Sequence, residues 1–463
     1  MARLADLFSP KDMTVGTPWK RIVEFSIPML IGNIAQQLYN TVDSIVIGRY
    51  VGDNALAAVG SAFPVLNFLL VLFVAVASGA SIMVAQYFGA KDRERLSRSI
   101  GVCITLTAIV STLIMVISPF AIRPMLVFIN TPESILDWCE DYLLILLVGN
   151  WGFSYFNILS GILRGLGDSF SALVFLLIST ALNVVLDIWF VAGLNMGVPG
   201  VALATVIAQT VSAVLCIIKL KKMDDLFDFN LNMMKPIKEY VLQLLRLGLP
   251  SGLTQVIFSL AMITVQSLTN TFGEMIIACN VIVMRVDGFA MMPNFTFGIT
   301  MTTFAGQNVG AKKMKRVELG TRQGLAIAVG VSTVITIIIL IFGRYLMNIF
   351  TDTAELVDLS MRMMRILAVG YIAMAVTQVL SGVMRGAGDT VTPMWLSLIT
   401  TIFLRVPIAY GIAYLTRSAE YPNGRPESIF VSLLIAWVFG AIITVIFFKK
   451  GNWKEKALLK DVR

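Results

Sequence analysis

Two carboxylates, an amide and a hydroxyl in the first half of the chain have the types and spacing to hold a proton or a small cation. Asp43 lies in YNTVDSIVIGR and Asn183 and Asp187 lie in ALNVVLDIWF. Thr205 lies in VALATVIAQ. Each stands in an otherwise apolar run, where a charged side chain costs about 2.5–3.5 kcal/mol on insertion scales unless it is protonated, paired or ion-bound. Asn183 and Asp187 are four residues apart and share a helix face, and Gln36, Asn40 and Asp43 follow i, i+4, i+7 on another. Burial raises an aspartate's proton affinity, and two acids close together titrate as a coupled pair. Such a set can hold a proton near neutral pH. Its carboxylate, amide and hydroxyl oxygens equally suit a hard cation such as Na⁺. The chain has no histidine, so proton chemistry falls to carboxylates. The bland reading is an aspartate reaching for headgroups and an asparagine joining two helices. Shared depth argues against it.

Depth follows from the elements. Of 463 residues, 57% are hydrophobic and 14% charged, with mean hydropathy +0.82, against about 25% charged in a soluble domain. Apolar runs divide into twelve transmembrane segments near 22–48, 55–82, 99–122, 137–159, 169–192, 199–219, 240–270, 275–305, 320–343, 356–381, 392–416 and 428–448. One alternate set of loops, with both termini, carries 26 Lys and Arg; the other carries 5. The positive-inside rule places the first set and both termini in the cytoplasm of a bacterial inner membrane. Asp43, Asp187 and Thr205 then each lie about six residues, or ~9 Å, below the outer helix ends. The net charge of +8 sits in these short loops, which excludes a nucleic-acid partner. TPWKRIVEFSIPML runs straight into a helix without a secretory cleavage site. The isolated cysteines 103, 139, 216 and 279 form neither a metal spacing nor a disulfide framework.

The chain repeats. SGILRGLGDS from Ser160 matches SGVMRGAGDT from Ser381, and QYFGAK (86–91) matches QNVGAK (307–312), both at an offset of 221. Gly149 meets Gly370, Asp137 meets Asp358, and Pro28 meets Pro250 at 222. Six segments per repeat keep both halves in the same orientation, as in transporters built from parallel repeats. The division is 1–219, a polar linker 220–238, and 239–463. Features common to both halves are scaffold: the Arg-Gly-x-Gly-Asp turns bend at glycines, and Asp168 and Asp389 cap the next helix. At these offsets Asp43, Asn183, Asp187 and Thr205 meet Val265, Leu404, Ile408 and Pro426. Only the first half carries the polar set.

The second half has its own outlier. Asn280, Met284, Asp287, Met291 and Asn294 fall on one helix face, with Asp287 near mid-membrane. Arg285 and Arg405 are the nearby cations, so Asp287 either pairs with Arg405 or lines a cavity for substrate or proton. The 24 methionines are mostly packing, though unbranched thioethers suit a surface that adapts to varied ligands.

The signatures IPMLIGNIAQQLYNTVDSIVIGRYVG, AQYFGAKD, LRGLGDS, NVVLD, GQNVGAKK and MRGAGDT together resemble the MATE (multidrug and toxic compound extrusion) family over nearly the whole chain. The resemblance implies two six-helix lobes around a central cavity and a cation-coupled antiporter. Such a protein exports amphipathic, mostly cationic compounds by alternating access, in exchange for H⁺ or Na⁺ and with no cofactor. It implies an N-lobe coupling site at Asp43, Asn183, Asp187 and Thr205, with Na⁺ as one possible occupant, and a cavity in which Asp287 would meet cationic substrates; the faces read above add Gln36, Asn40, Asn280, Met284, Met291 and Arg405 as cavity candidates. One branch of the family carries an acid eight positions after the second proline. Here that position is Phe258, so the chain is more similar to the DinF-like or MepA-like bacterial branch. The alternative reading is a lipid-linked precursor flippase of the same wider superfamily, which would line its cavity with cations. An embedded enzyme would need a nucleophile–base pair or metal ligands at one depth, and none stands out. A channel would not require the half-specific acids. The helix exteriors carry no polar stripe, which points to a monomer in the bilayer.

Overall fold

A computed structural model describes residues 9–128, 131–228 and 230–458, without the side chains of 40–44, of several residues between 53 and 72, and of 231. Among the described residues there is no strand. The first half runs α1 (Pro18–Tyr50), α2 (Asp53–Gly89), α3 (Arg93–Phe128), α4 (Glu133–Val148) with α5 (Asn150–Gly165), α6 (Ser169–Asp187) with a π-helical turn (Ile188–Gly193), and α7 (Gly197–Lys221). The second runs α8 (Lys238–Asn270), α9 (Glu274–Gly310), α10 (Met314–Asn348), α11 (Ala354–Ala368) with α12 (Gly370–Gly386), then α13 (Val391–Leu398), a π-helical turn (Ile399–Arg405) and α14 (Val406–Leu415), and last α15 (Ser428–Lys450). Eight of these helices are long and apolar enough to cross a membrane, or ten spans if each bent pair counts as one. With α1 and α2 the described chain has the twelve segments read from the sequence, in two sets of six.

The repeat is visible as repeated physics. The fourth segment of each set bends, by 53° between α4 and α5 and by 43° between α11 and α12. Gly149 and Gly370 stand at the bends. A Cβ there would lie 2.6 Å from Val206 and 2.5 Å from Trp437 respectively, so the glycines let the bend lie against the sixth helix of each set. Arg123 pairs with Asp137 and Arg344 with Asp358, the same pair 221 residues apart. Asp168 caps α6 through the Ser171 N–H (2.9 Å) and hydroxyl (2.6 Å), and Asp389 caps α13 through the Thr392 N–H (3.2 Å) and hydroxyl (2.7 Å). Lys219 and Lys456 add a charge to each. Burial raises the Asp168 carboxyl above the usual aspartate range, and the Ser171 bonds and Lys219 oppose that.

The glycines of the Arg-Gly-x-Gly-Asp motif split their roles. Gly167 and Gly388 take φ of +88° and +99° and make the turn. Gly165 and Gly386 instead form, with Gly161 and Gly382, small-xxx-small pairs whose bare faces touch the backbones of α2 and α9. In the other shared motif Lys91 and Lys312 end α2 and α9 in the left-handed region, at φ 55° and 58°.

Packing divides the chain differently from its linear order. One compact unit is built chiefly on Ile27–Gly252; the other joins Met13–Ser26 to the chain beyond Leu253. In the first unit the entrance of α8 packs on α2, where Ser78 donates to Ser251 (3.1 Å) and the bare Gly79 lies under Leu244. The linker is also fixed there. Arg93 binds the Asp224 and Asp225 carbonyls and the Asp228 carboxylate, and Thr105 donates to the Met234 carbonyl (2.6 Å). In the second unit the Ser26 hydroxyl donates to Thr300 (3.0 Å). Pro28 and Pro250 lie inside continuous helices, within two residues of where each helix passes from one unit to the other.

The GQNVGAKK stretch holds a strap in the second unit. The Met13 N–H donates to Gln307 Oε1 (2.9 Å), and the Met13 carbonyl accepts from Asn308 Nδ2 (3.1 Å) and from Arg316 Nε (3.1 Å) and Nη2 (3.0 Å). Arg316 also reaches the Val15 and Gly16 carbonyls, and Lys313 the Thr14 carbonyl. Bonds from a charged donor contribute about 1.5–3 kcal/mol. Arg316→Ala should therefore speed hydrogen exchange across residues 13–17 by about tenfold or more, while Arg322→Ala, a nearby charge that makes no hydrogen bond to the strap, should not. Unchanged exchange in Arg316→Ala would show that the strap is held by Met13 burial and the Gln307, Asn308 and Lys313 bonds without Arg316.

Candidate functional site

The first unit carries the polar cluster. α6 presents Ser179, Asn183 and Asp187 one turn apart, all buried. α7 packs along it and brings Thr205 to the Asn183 amide, whose Nδ2 donates to Thr205 Oγ1 at 3.3 Å. The Tyr39 hydroxyl of α1 meets the same Thr205 oxygen at 3.2 Å. Asn183 thus donates one of its two amide hydrogens to Thr205. Its carbonyl, the hydroxyl oxygens and the Asp187 carboxylate are an all-oxygen set of the kind a hard cation takes. Asp187 is fully buried, and the backbone leaves α geometry directly after it, in the π turn Ile188–Gly193. Single π turns concentrate at functional sites because they re-aim a side chain within a helix.

Asp43 and Asn40 lie on α1, but their side chains are outside the described residues. Gln36 is half-buried on the same helix. Among the described residues no group of three or more Cys, Asp or Glu gathers as a metal site. Tyr39 joins the cluster and was passed over by the sequence reading, and Ser179 and Gln209 lie one turn away from it on their helices. Tyr39 is four residues before Asp43, Ser179 four before Asn183, and Gln209 four after Thr205. Ser179 Oγ and Gln209 Oε1 are buried without a hydrogen-bond partner. Extending each helical period by one turn would have found all three.

The comparison of halves needs one correction. Pro426 precedes α15 and is not the counterpart of Thr205. The pairs Gly149–Val206 and Gly370–Trp437 set the sixth helices at an offset of 231, because the loop before α15 is longer. The counterpart is Ala436, so the second unit still lacks the hydroxyl.

In the second unit the face read on α9 divides. Asn280 Nδ2 donates to Gln266 of α8 at 3.4 Å. Asn294 is a structural residue: its amide reaches the Tyr371 carbonyl (3.1 Å) and its oxygen accepts from Ser332 (2.7 Å). Met284 is half-buried and Met291 buried. Arg285 is exposed, not buried as its apolar surroundings suggested. Asp287 and Arg405 are both buried, but Asp287 Oδ1 and Arg405 Nε have no hydrogen-bond partner among the described residues. Arg405 ends the π turn of the fifth segment in its set, as Asp187 opens the π turn in the other.

The MatE family model matches residues 28–189 and again 250–411, once per repeat. The probable multidrug resistance protein YoeA of Bacillus subtilis is 28% identical over 455 residues, covering 96% of each chain. The probable multidrug resistance protein NorM of Thermotoga maritima is 24% identical over 448 residues, covering 96% of this chain and 95% of that one. Among solved structures, an outward-facing multidrug resistance MATE family transporter of the MOP superfamily aligns with a TM-score of 0.87 at 26% identity, covering 95% of this chain and 97% of the other. A MOP superfamily transporter from Pyrococcus furiosus, described as having a binding pocket of reversed polarity, aligns at 0.86 and 26%, covering 95% and 96%. The same family unit matches each half of the chain and together these matches span most of its length; the protein belongs to the MatE family of membrane transporters.

Proposed function

We propose that the protein exports amphipathic, mainly cationic organic compounds across the bacterial inner membrane, with both termini in the cytoplasm, by alternating access coupled to inward movement of H⁺ or Na⁺. The observation that carries this reading is the buried cluster of Tyr39, Asn183, Asp187 and Thr205 on three helices of the first unit, with no polar counterpart in the second. The embedded cost of Asp187 is offset when a proton or an oxygen-coordinated cation occupies the cluster. Asp43, on the helix that supplies Tyr39, completes the acid pair. Ion binding favours one conformation and drug binding the other, so each expels its competitor. The relatives' names support the substrate class. The protein acts on no covalent bond in this scheme and is not an enzyme.

Export of a cationic dye from proteoliposomes tests this, with a pH gradient and a Na⁺ gradient imposed separately. One gradient should drive export and the other should not. Failure of both, with purified protein that still binds dye, would overturn the coupling. Failure to bind any organic cation would remove the substrate class and bring lipid flipping forward.

A further inference from the structure

The glycines and the aspartate of the repeated Arg-Gly-x-Gly-Asp motif each have a structural use, in packing, turn and cap. The arginine does not share it. Arg164 and Arg385 stand in the last turns of α5 and α12, half-buried. Neither makes a hydrogen bond or an ion pair among the described residues. A guanidinium drawn partly out of water with its five donors and its charge unmatched is costly. The halves then differ. In the first, the amide seven residues before the arginine, Asn157, donates to the Phe153 carbonyl of its own helix at 2.8 Å. In the second, the matching Gln378 is half-buried and makes no hydrogen bond among the described residues. Gln378 and Arg385 are seven apart on one face of α12, with Ser381 between them. Both reach the same point on α9. A Cβ built on the buried Gly298 would lie 3.2 Å from Gln378 Oε1 and 3.5 Å from Arg385 Nη2. The two side chains close on one bare spot without bonding each other, so one small group can touch both.

We propose that Arg385 and Gln378, over Gly298, form an anion site in the second unit that takes a phosphate group, either free or carried by a phospholipid headgroup. The planar guanidinium fork fits two oxygens of a phosphate. The amide, turned to present Nε2, donates to a third. A carboxylate has only the two oxygens that the fork takes, so the amide selects the phosphate. Gly298 keeps the floor of the site clear, where a methyl would fill the point that the oxygens need. An organic cation carries the wrong charge for this site, which is therefore distinct from the drug-binding and coupling residues. Its depth among cytoplasmic headgroups rests on the orientation proposed above; the anion site itself does not.

Native mass spectrometry of the full-length protein in detergent tests the site, with a short-chain phosphatidylglycerol and inorganic phosphate titrated separately. Wild type should bind at least one of them. Arg385→Gln should weaken that binding about tenfold or more, the loss expected for charge-assisted hydrogen bonds. Gly298→Ala should weaken it with every charge kept. Arg164→Gln removes the same charge from the matching position of the first unit and should leave the affinity nearly unchanged. Lipid binding that excess phosphate does not displace makes the headgroup the ligand. Displacement with the same dependence on Arg385 makes it the phosphate alone. Binding of neither, an unchanged affinity in Arg385→Gln, or an equal loss in Arg164→Gln overturns the proposal, and Gly298→Ala decides if Arg385→Gln does not fold. A wild type that binds phosphate but exports no dye keeps this site and removes the coupled-export reading. A wild type that exports dye and binds neither does the reverse.

Discussion

Asp187→Asn should abolish gradient-driven export while leaving the protein folded and able to exchange dye at equilibrium. Asparagine keeps the shape of the aspartate, and the buried site loses a charge rather than gaining one, so the packing of α6 against α7 has no reason to fail. The amide cannot bind a proton and is a poorer ligand for a cation. Net uphill export should fall by at least about tenfold, the ratio that ~1.4 kcal/mol of lost coupling corresponds to. Downhill exchange of dye for dye should remain within about twofold of wild type, since it needs the conformational cycle but not the ion. Ser179→Ala, about two turns inward on the same buried face, is a control that should change neither. Loss of both export and exchange in Asp187→Asn would make the carboxylate structural.

The largest effects on folding should come from two shared glycines of the second half. A Cβ at Gly386 would fall against the Thr302 carbonyl oxygen, and one at Gly382 against that of Gly298. These are backbone atoms, so relief requires α9 and α12 to move apart. Overpacking a core by one methyl costs about 1–3 kcal/mol, and these substitutions belong at the upper end. In the first half the same positions are less tight: a Cβ would lie 2.9 Å from the Ala77 oxygen at Gly161 and 2.8 Å from the Ser81 oxygen at Gly165. Melting temperatures should therefore fall further for Gly382→Ala and Gly386→Ala than for Gly161→Ala and Gly165→Ala. Gly288→Ala, where a Cβ would meet nothing within 4 Å, should be neutral or slightly stabilising, because alanine favours the helix by about 1 kcal/mol. Equal losses at all four positions would mean that the tightness of contact does not decide the cost.

These contrasts show what the sequence could and could not carry. The register of the repeat was legible because identical residues meet identical constraints: Asp168 and Asp389 cap the next helix as expected, and Gly167 and Gly388 make the turn. Gly165 and Gly386 were read as turn residues in the same motif. Their contact with a neighbouring backbone depends on which helix lies opposite, which no local pattern specifies. The strap is a similar case. Gln307 and Asn308 match Gln86 and Tyr87 in register, but only the arrival of Met13 shows what the amides bind. Helical period placed Asn183 beside Asp187 and predicted a common depth with Thr205, and the Asn183–Thr205 hydrogen bond joins those two helices. Tyr39 was hidden because an aromatic ring in an apolar run reads as packing, although its hydroxyl reaches the cluster. Asn294 was placed on one face with Asp287, but its amide serves the Tyr371 carbonyl and Ser332. A face shared at helical spacing does not mean a shared role once neighbouring helices claim individual residues. Constant spacing failed for Thr205, where the longer loop before α15 moved the counterpart from Pro426 to Ala436.

The central claim is that the cluster of Tyr39, Asn183, Asp187 and Thr205 links ion and drug binding. Dye affinity of purified protein, titrated against pH and separately against Na⁺, measures that link directly. In wild type one of the two ions should weaken dye binding, and the dye should weaken that ion's binding by the same factor. In Asp187→Asn the affinity should be flat across both titrations. A variant that binds dye with the full ion dependence of wild type would contradict the account and place the coupling elsewhere in the protein.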